Sequence, residues 1–394
     1  MEYDEPLFFR VLQYAAAADR DVVRLVSGNP DWEPPGALRE GLREYADAPP
    51  EAFQYPPSDG LRELREEIAA RRGVDVDRVV VTNGAGEANY LAMARAFEAA
   101  DVGTRARTEP GSAGDGAATG DGPPTPTAPE VLLTDPVYPY YPGKTRLLGG
   151  EPRLVPVEHD GQPDVAAFRE AAGPETVAIV VNTPNNPTGA VYEHERVAAL
   201  AEVAAEHDAL LVVDEVYDHF DYTGAFESAL SLRAADERVV VTAGFSKSLA
   251  ITGFRVGYAV FPPDLVDRAR TRHMLVNVTG ARPSQVAVLR ALRETPPDYY
   301  ESTRETLRER IDAFCDALAA AGADYTRPDG AFYVLARFDG FPGTLENVKR
   351  LVDEAGVAAM PGEAFGPSRD DWLRFALVSP RAEEAAERLA DYFG

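Results

Sequence analysis

The chain has 394 residues, 45% of them hydrophobic and 26% charged, enough for one large core and a smaller one, because single cores stop growing at roughly 250–300 residues. Its 39 Lys and Arg stand against 65 Asp and Glu, a formal net charge of −26, which repels nucleic acid and anionic membrane. No apolar run is long enough to span a bilayer, the acidic residues Glu2, Asp4 and Glu5 are unlike an export signal, and the single Cys315 permits neither an internal disulfide nor a Cys-based metal cage; a cytoplasmic protein with no nucleic-acid and no membrane partner is expected.

In chain order, apolar β-branched runs alternate with stretches of helical period. Val79 to Val81 predicts a buried strand, and a helix over 88–100 follows it. Residues 103–129, crowded with Gly, Pro, Thr, Ala and Ser, predict a mobile surface insertion, since such a composition cannot bury enough apolar surface to offset its ordering entropy. Strands are then expected at 131–133, 177–181, 210–213 and 239–241, with a helix over 193–206. Runs without polar alternation are buried on both faces, which is the pattern of an α/β domain around a mostly parallel sheet flanked by helices. Beyond about residue 276 the pattern changes to helices near 298–321, 344–355 and 381–393, with short strands near 333–338 and 372–378. The expected division is a large domain over 45–275 and a smaller α+β domain assembled from 1–44 and 276–394.

Chemistry enters through Lys247, in Gly244-Phe245-Ser246-Lys247 directly after the strand at 239–241. A lysine is ordinarily a solvated surface residue. This chain, however, has only three (Lys144, Lys247 and Lys349), and one kept at the end of a buried strand suits an amine that must be neutral enough to condense with a carbonyl. The scarcity of lysine beside so many carboxylates also predicts adaptation to concentrated salt, an acidic, halophile-like surface.

Two more signals stand at strand ends: Thr183-Pro184-Asn185-Asn186-Pro187-Thr188-Gly189, by itself a turn, and Asp214-Glu215-Val216-Tyr217, by itself an acidic strand end. With Lys247 and the nearby Arg255 they converge on the crevice outside the carboxyl ends of the strands, where ligands of open α/β sheets bind. Such a group would meet a ligand with a carbonyl, a basic ring nitrogen, a phenolic oxygen and a phosphate, a description that pyridoxal phosphate fits. Asn83-Gly84-Ala85-Gly86, between a strand and a helix, would turn free backbone N–H groups and a helix dipole toward an anion.

The Asn-Pro-Thr-Gly, Asp-x-x-Tyr and Ser-Lys…Gly-x-Arg-x-Gly-Tyr set, spanning most of the chain from Gly28 to Arg374 apart from 103–129, resembles the class I/II aminotransferases among the fold type I pyridoxal-phosphate enzymes. The resemblance implies that Lys247 forms the internal aldimine with pyridoxal 5′-phosphate and then shuttles a proton, that Asp214 keeps the pyridine nitrogen protonated, and that Asn186 and Tyr217 hydrogen-bond the phenolic oxygen. It further implies that Tyr138 stacks on the ring, that the amides of Ala85 and Gly86 with Arg255 hold the phosphate, and that Tyr55 reaches the phosphate of a neighbouring subunit, hence a homodimer with shared sites. Gly244 departs from the pattern, standing where several relatives carry a phosphate-binding serine, and Ser246 is the candidate substitute.

Arg374, in the otherwise apolar Trp372-Leu373-Arg374-Phe375, suits a bidentate grip on a substrate α-carboxylate, with Gly28 allowing close backbone approach. The side-chain pocket for the amino acid is not legible, and no metal is expected. The expected activity is transfer of an amino group from an L-amino acid to a 2-oxo acid by a ping-pong cycle. A lyase, decarboxylase or synthase on the same fold is the alternative, because fold does not dictate reaction.

Overall fold

A computed structural model of the protein describes residues 5–107 and 128–394, with the side chains of 101–107 left aside. Seven strands form the main sheet, in the order Val79–Thr82, Gly257–Val260, Val239–Gly244, Leu210–Asp214, Thr176–Asn182, Glu130–Asp135 and Glu151–Pro156. Gly257–Val260 is antiparallel to both its neighbours, and the remaining pairings are parallel. The five strands expected from sequence are all present. The two not anticipated are Gly257–Val260, part of the Gly-x-Arg-x-Gly-Tyr motif, and the edge strand Glu151–Pro156, whose mixed exposure hides the apolar signature of a central strand.

Each face of this sheet carries its own core. One packs Leu132, Ile179 and Val213 against the helix His194–Glu206; the other packs Val80, Leu133 and Val212 against the helix Ala85–Arg107. A third cluster, at the Val79–Thr82 end, joins Val79, Val81 and Tyr258 to Leu38, Leu64, Ala287 and Val288. Helices Gly36–Ala46 and Arg282–Glu294 therefore pack with the large sheet. The division expected at 44/45 and 275/276 had put them with the smaller domain, because helical period reports which residues are buried and says nothing of which core buries them.

The smaller core surrounds a four-stranded antiparallel sheet ordered Met360–Pro361, Leu373–Ala376, Tyr333–Arg337 and Asp324–Tyr325. It is closed by Leu7–Ala17, Pro297–Ala320, Leu345–Ala355 and Ala382–Phe393, with Phe314, Leu351, Phe375 and Leu389 fully buried among them. The last three helices begin and end within a residue or so of expectation. The insertion expected at 103–129 is corrected at its first margin, while its last agrees with the strand that follows. Residues 103–107 continue the helix that starts at Ala85, and Glu130 opens a strand; residues 108–127 lie outside the described residues. Among the described residues no helix is long and apolar enough to cross a membrane.

Candidate active site

The strand ends bring most of the expected residues into one cleft between the two sheets. Asp214 is the last residue of its strand and is buried. Its Oδ2 accepts from Asn89 Nδ2 at 2.6 Å and from the Tyr141 hydroxyl at 2.7 Å, and its Oδ1 accepts from the backbone N–H of Val216 at 3.1 Å. Asn89 is itself oriented, because Thr242 Oγ1 donates to its amide oxygen at 2.6 Å and so turns the NH2 toward the carboxylate. Burial pushes the Asp214 carboxyl up from its ordinary value, while Tyr141, Asn89, Val216 and the more distant Lys144 hold it down. A buried carboxylate so arranged is suited to a cationic N–H partner.

Lys247 follows the neighbouring strand Val239–Gly244, and its amine donates to the carbonyl of Gly28 at 2.7 Å. Burial pulls the ammonium down to about 8, helped by the positive charges of Arg374 and Arg255 and opposed by Asp214. The lysine is therefore more readily neutral than an exposed one, as suits a carbonyl-reactive amine.

Asn186 lies in the turn after Thr176–Asn182. Asn182 holds that turn against the sheet: its NH2 donates to the backbone carbonyl of Asp214 at 2.8 Å and its amide oxygen accepts the Asn186 N–H at 2.9 Å. Arg374, on the small sheet and buried, donates to the Asn186 side-chain oxygen at 3.0 Å and to the carbonyl of Val26. Its guanidinium stacks 4.5 Å from the ring centroid of Tyr333, and its Nε has no hydrogen-bond partner. An orphaned donor on a desolvated guanidinium is a mark of a site that accepts an anion. Tyr217 and Tyr333 share a hydroxyl–hydroxyl bond of 2.8 Å, and a side chain at Gly28 would collide with that same Tyr333 hydroxyl.

At the other end of the cleft the helix Ala85–Arg107 starts from Gly84, which adopts φ +79°. The Arg255 guanidinium lies against this turn, with Nη2 donating to the Asn83 carbonyl at 3.2 Å; a Cβ on Gly84 would come within 2.5 Å of it. A Cβ on Gly257 would come equally close, 2.5 Å from Gly84 C and Ala85 N, and one on Gly244 would stand 3.3 Å from Ala85 N. Gly84 and Gly257 thus let strand and turn meet with bare backbone, and Gly244, where several relatives carry a serine, lies beside them. Ser246 is buried two residues on. Behind the turn, Glu87 accepts the Asn83 N–H at 2.7 Å and is held by His273 at 2.6 Å. The first-turn amides of Ala85 and Gly86 have no acceptors within the helix, and with Arg255 beside them the turn is suited to an anion.

Tyr138 stands at the mouth of the helix Tyr140–Leu147, packed on Tyr140 and Tyr141 at 5.1 and 5.5 Å, and its hydroxyl pKa is raised by burial. Tyr55 is the expected residue that stays apart, 82% exposed on the surface. Missed from the sequence were Asn89, Tyr141, Lys144, Asn182, Thr242 and Tyr333. Lys144 alone had a usable signal, the rarity of its residue type.

The family model for Aminotransferase class I and II matches residues 20–102 and 125–393. A Thermus aquaticus protein named probable aspartate/prephenate aminotransferase is 34% identical over 382 residues, covering 94% of this chain and 91% of its own length. Aromatic-amino-acid aminotransferase 2 of Thermococcus litoralis is 29% identical over 404 residues, covering 99% and 96%. Among solved structures, a single mutant of Thermus thermophilus aspartate aminotransferase matches with a TM-score of 0.85 at 30% identity, over 99% of this chain and 97% of that one. Fold and matches define an α/β transferase of fold type I. The chain belongs to the class I and II aminotransferases, a family that works with pyridoxal phosphate, and it is an amino-acid aminotransferase.

Proposed function

We propose that pyridoxal 5′-phosphate binds in this cleft and that the chain transfers the amino group of an L-amino acid to a 2-oxo acid in a ping-pong cycle. The observation that carries this is the desolvated amine of Lys247, brought into one cleft with the buried Asp214 carboxylate, the stacked Arg374 and the glycine-lined amides of Ala85 and Gly86. The donor set fits the cofactor: an anion cradle for a phosphate, a carboxylate for a ring nitrogen and an amine for an aldehyde.

When bound, the cofactor supplies an aldehyde carbon and a cationic ring that holds the electron pair released at the substrate's α-carbon. Lys247 would hold the aldehyde end and, as a free amine, would move the proton at the substrate's α-carbon. Asp214 keeps the ring nitrogen protonated, with Asn89 and Tyr141 fixing its carboxylate. Asn186, whose oxygen is engaged by Arg374, would have its NH2 free for the ring's phenolic oxygen, Tyr217 would offer its hydroxyl to the same oxygen, and Tyr138 would cover the ring. Arg374 grips the substrate α-carboxylate, and Gly28 leaves room beside it. Ala85, Gly86 and Arg255 would bind the phosphate, with Ser246 the candidate hydroxyl in place of the serine missing at Gly244.

The working unit in this reading is a homodimer. Phe53, Tyr55, Met274, Leu275, Val276 and Val278 are large apolar residues left exposed, Leu275 at 77%. Their two segments are tied together by Thr279 donating to the Pro57 carbonyl at 3.0 Å and Arg282 to that of Gln54 at 3.3 Å. An exposed apolar cluster of this kind marks an association surface, and Tyr55, lying within it, is the residue that would reach a second copy's phosphate. A cytoplasmic setting agrees with the one buried, unpaired Cys315.

The test is spectroscopic. Adding an amino acid to the yellow holoenzyme is expected to bleach the visible band, and 2-oxoglutarate to restore it. Ammonia or pyruvate released without that interconversion would return the lyase alternative. The names of the matched relatives make acidic and aromatic donors the first to assay.

A further inference from the structure

Two of the chain's three lysines have amines desolvated in or beside this cleft, and the proposed chemistry uses one. Lys144 sits in the helix Tyr140–Leu147, three and four residues after Tyr141 and Tyr140, on their face of the helix. Its ammonium lies 5.7 Å from the ring centroid of Tyr140 and 5.8 Å from that of Tyr141, and the Tyr141 hydroxyl donates to Asp214 at 2.7 Å. Among the described residues no carboxylate pairs directly with it. Burial pulls the Lys144 ammonium down to about 8, and Asp214 is the charge that opposes this; Lys144 in turn lowers the proton affinity of Asp214. In a chain that meets nearly every other need for positive charge with arginine, a lysine held over two tyrosines, one of them bonded to that carboxylate, is an arrangement the packing alone does not require.

We propose that Lys144 is a positioning residue acting through Asp214. Held over Tyr140 and Tyr141, its ammonium keeps Asp214 ionised before the cofactor arrives and, afterwards, moderates how strongly that carboxylate holds a proton on the ring nitrogen. The inference rests on Asp214 facing the ring nitrogen, as proposed above. The nitrogen of Lys247 feels the charges of Asp214, Arg374 and Arg255; Lys144 adds one more positive charge to that field, relayed through Asp214.

The experiment is a pH titration of the visible absorption of reconstituted wild type, Lys144→Met and Lys144→Arg. Removing a positive charge favours protonation of the remaining nitrogens, so Lys144→Met is expected to move the midpoint upward by about 0.3–1 pH unit, while Lys144→Arg, which keeps the charge, stays close to wild type. Should Lys144→Met fail to fold, Lys144→Gln, polar but uncharged, carries the same expectation. An unmoved midpoint in the uncharged variant overturns the proposal, as does an equal shift in Lys144→Arg, which would assign the effect to packing. A wild type that stays colourless after reconstitution would instead overturn the cofactor reading, so the two failures are distinguishable.

Discussion

The two ends of the cleft are built from different materials. At the Gly84–Gly86 turn, the proposed anion cradle, the groups offered are backbone amides. The side chains there are chiefly absent ones, with Gly84 and Gly257 letting strand and turn meet, and a single arginine supplying the charge. At the Asp214 end the carboxylate is held by side chains from three separate elements, with Asn89 and Tyr141 in direct contact and Thr242 and Lys144 behind them. Backbone needs only the right turn in the right place. A buried carboxylate needs each of its partners oriented, since an unmatched buried charge costs several kcal/mol.

Four measurements break or sharpen this contrast. The largest effect is expected between the two ends, at the amine: Lys247→Ala should lower turnover by at least about a thousandfold and still retain cofactor through dialysis by means of both ends. A near-normal rate would remove Lys247 from its role. At the cradle, Gly84→Ala forces a side chain into φ +79° and against Arg255. Cofactor affinity should fall by roughly ten- to a hundredfold, with about 1–3 kcal/mol of stability lost; calorimetric titration of the apoenzyme checks the first and denaturant unfolding the second.

The third measurement concerns pH. The folded-state amine of Lys247 titrates near 8 against an ordinary 10.5, so the unfolded chain binds the extra proton between those values. The contribution of this group is therefore complete above about pH 10.5 and lost as pH falls through about 8. Apo Lys247→Met should be more stable than apo wild type by about 1–3 kcal/mol at pH 7, with the gap closing toward pH 10.5. A gap independent of pH would mean the amine is not desolvated. The smallest effect per charge is spread over the whole surface. With a net charge of −26, the thermal midpoint should rise by several degrees between low and molar KCl as self-repulsion is screened; a flat response would count against salt adaptation.

The central strands were legible because residues buried on both faces are written as unbroken apolar runs, as in Val239-Val240-Val241. The site residues that stand at the ends of those strands or in the turns after them, Asn186, Asp214, Lys247 and the Gly84–Gly86 turn, were legible with them. Lys144 was discoverable by the same scarcity argument that singled out Lys247, yet nothing along the chain says that a helix after Tyr138 lies beside Asp214. Asn89 and Thr242 are 153 positions apart, and no local pattern marks an asparagine that must present its NH2 to a carboxylate. Gly36–Ala46 and Arg282–Glu294 show the same limit at domain scale: their helical period was clear and the core they join was not.

By itself, then, the chain's order of residues determined the α/β class, the chemistry of its strand ends and an excess of negative charge, because each depends on neighbours close in sequence or on simple totals. Tertiary structure alone decided which polar groups surround Asp214, which cores receive the two outlying helices, and how Arg374 on the small sheet comes to meet Asn186 on the large one. Those outcomes depend on surfaces packing across hundreds of residues, where burial free energy and hydrogen-bond satisfaction of the assembled whole choose among alternatives that local preference leaves equal.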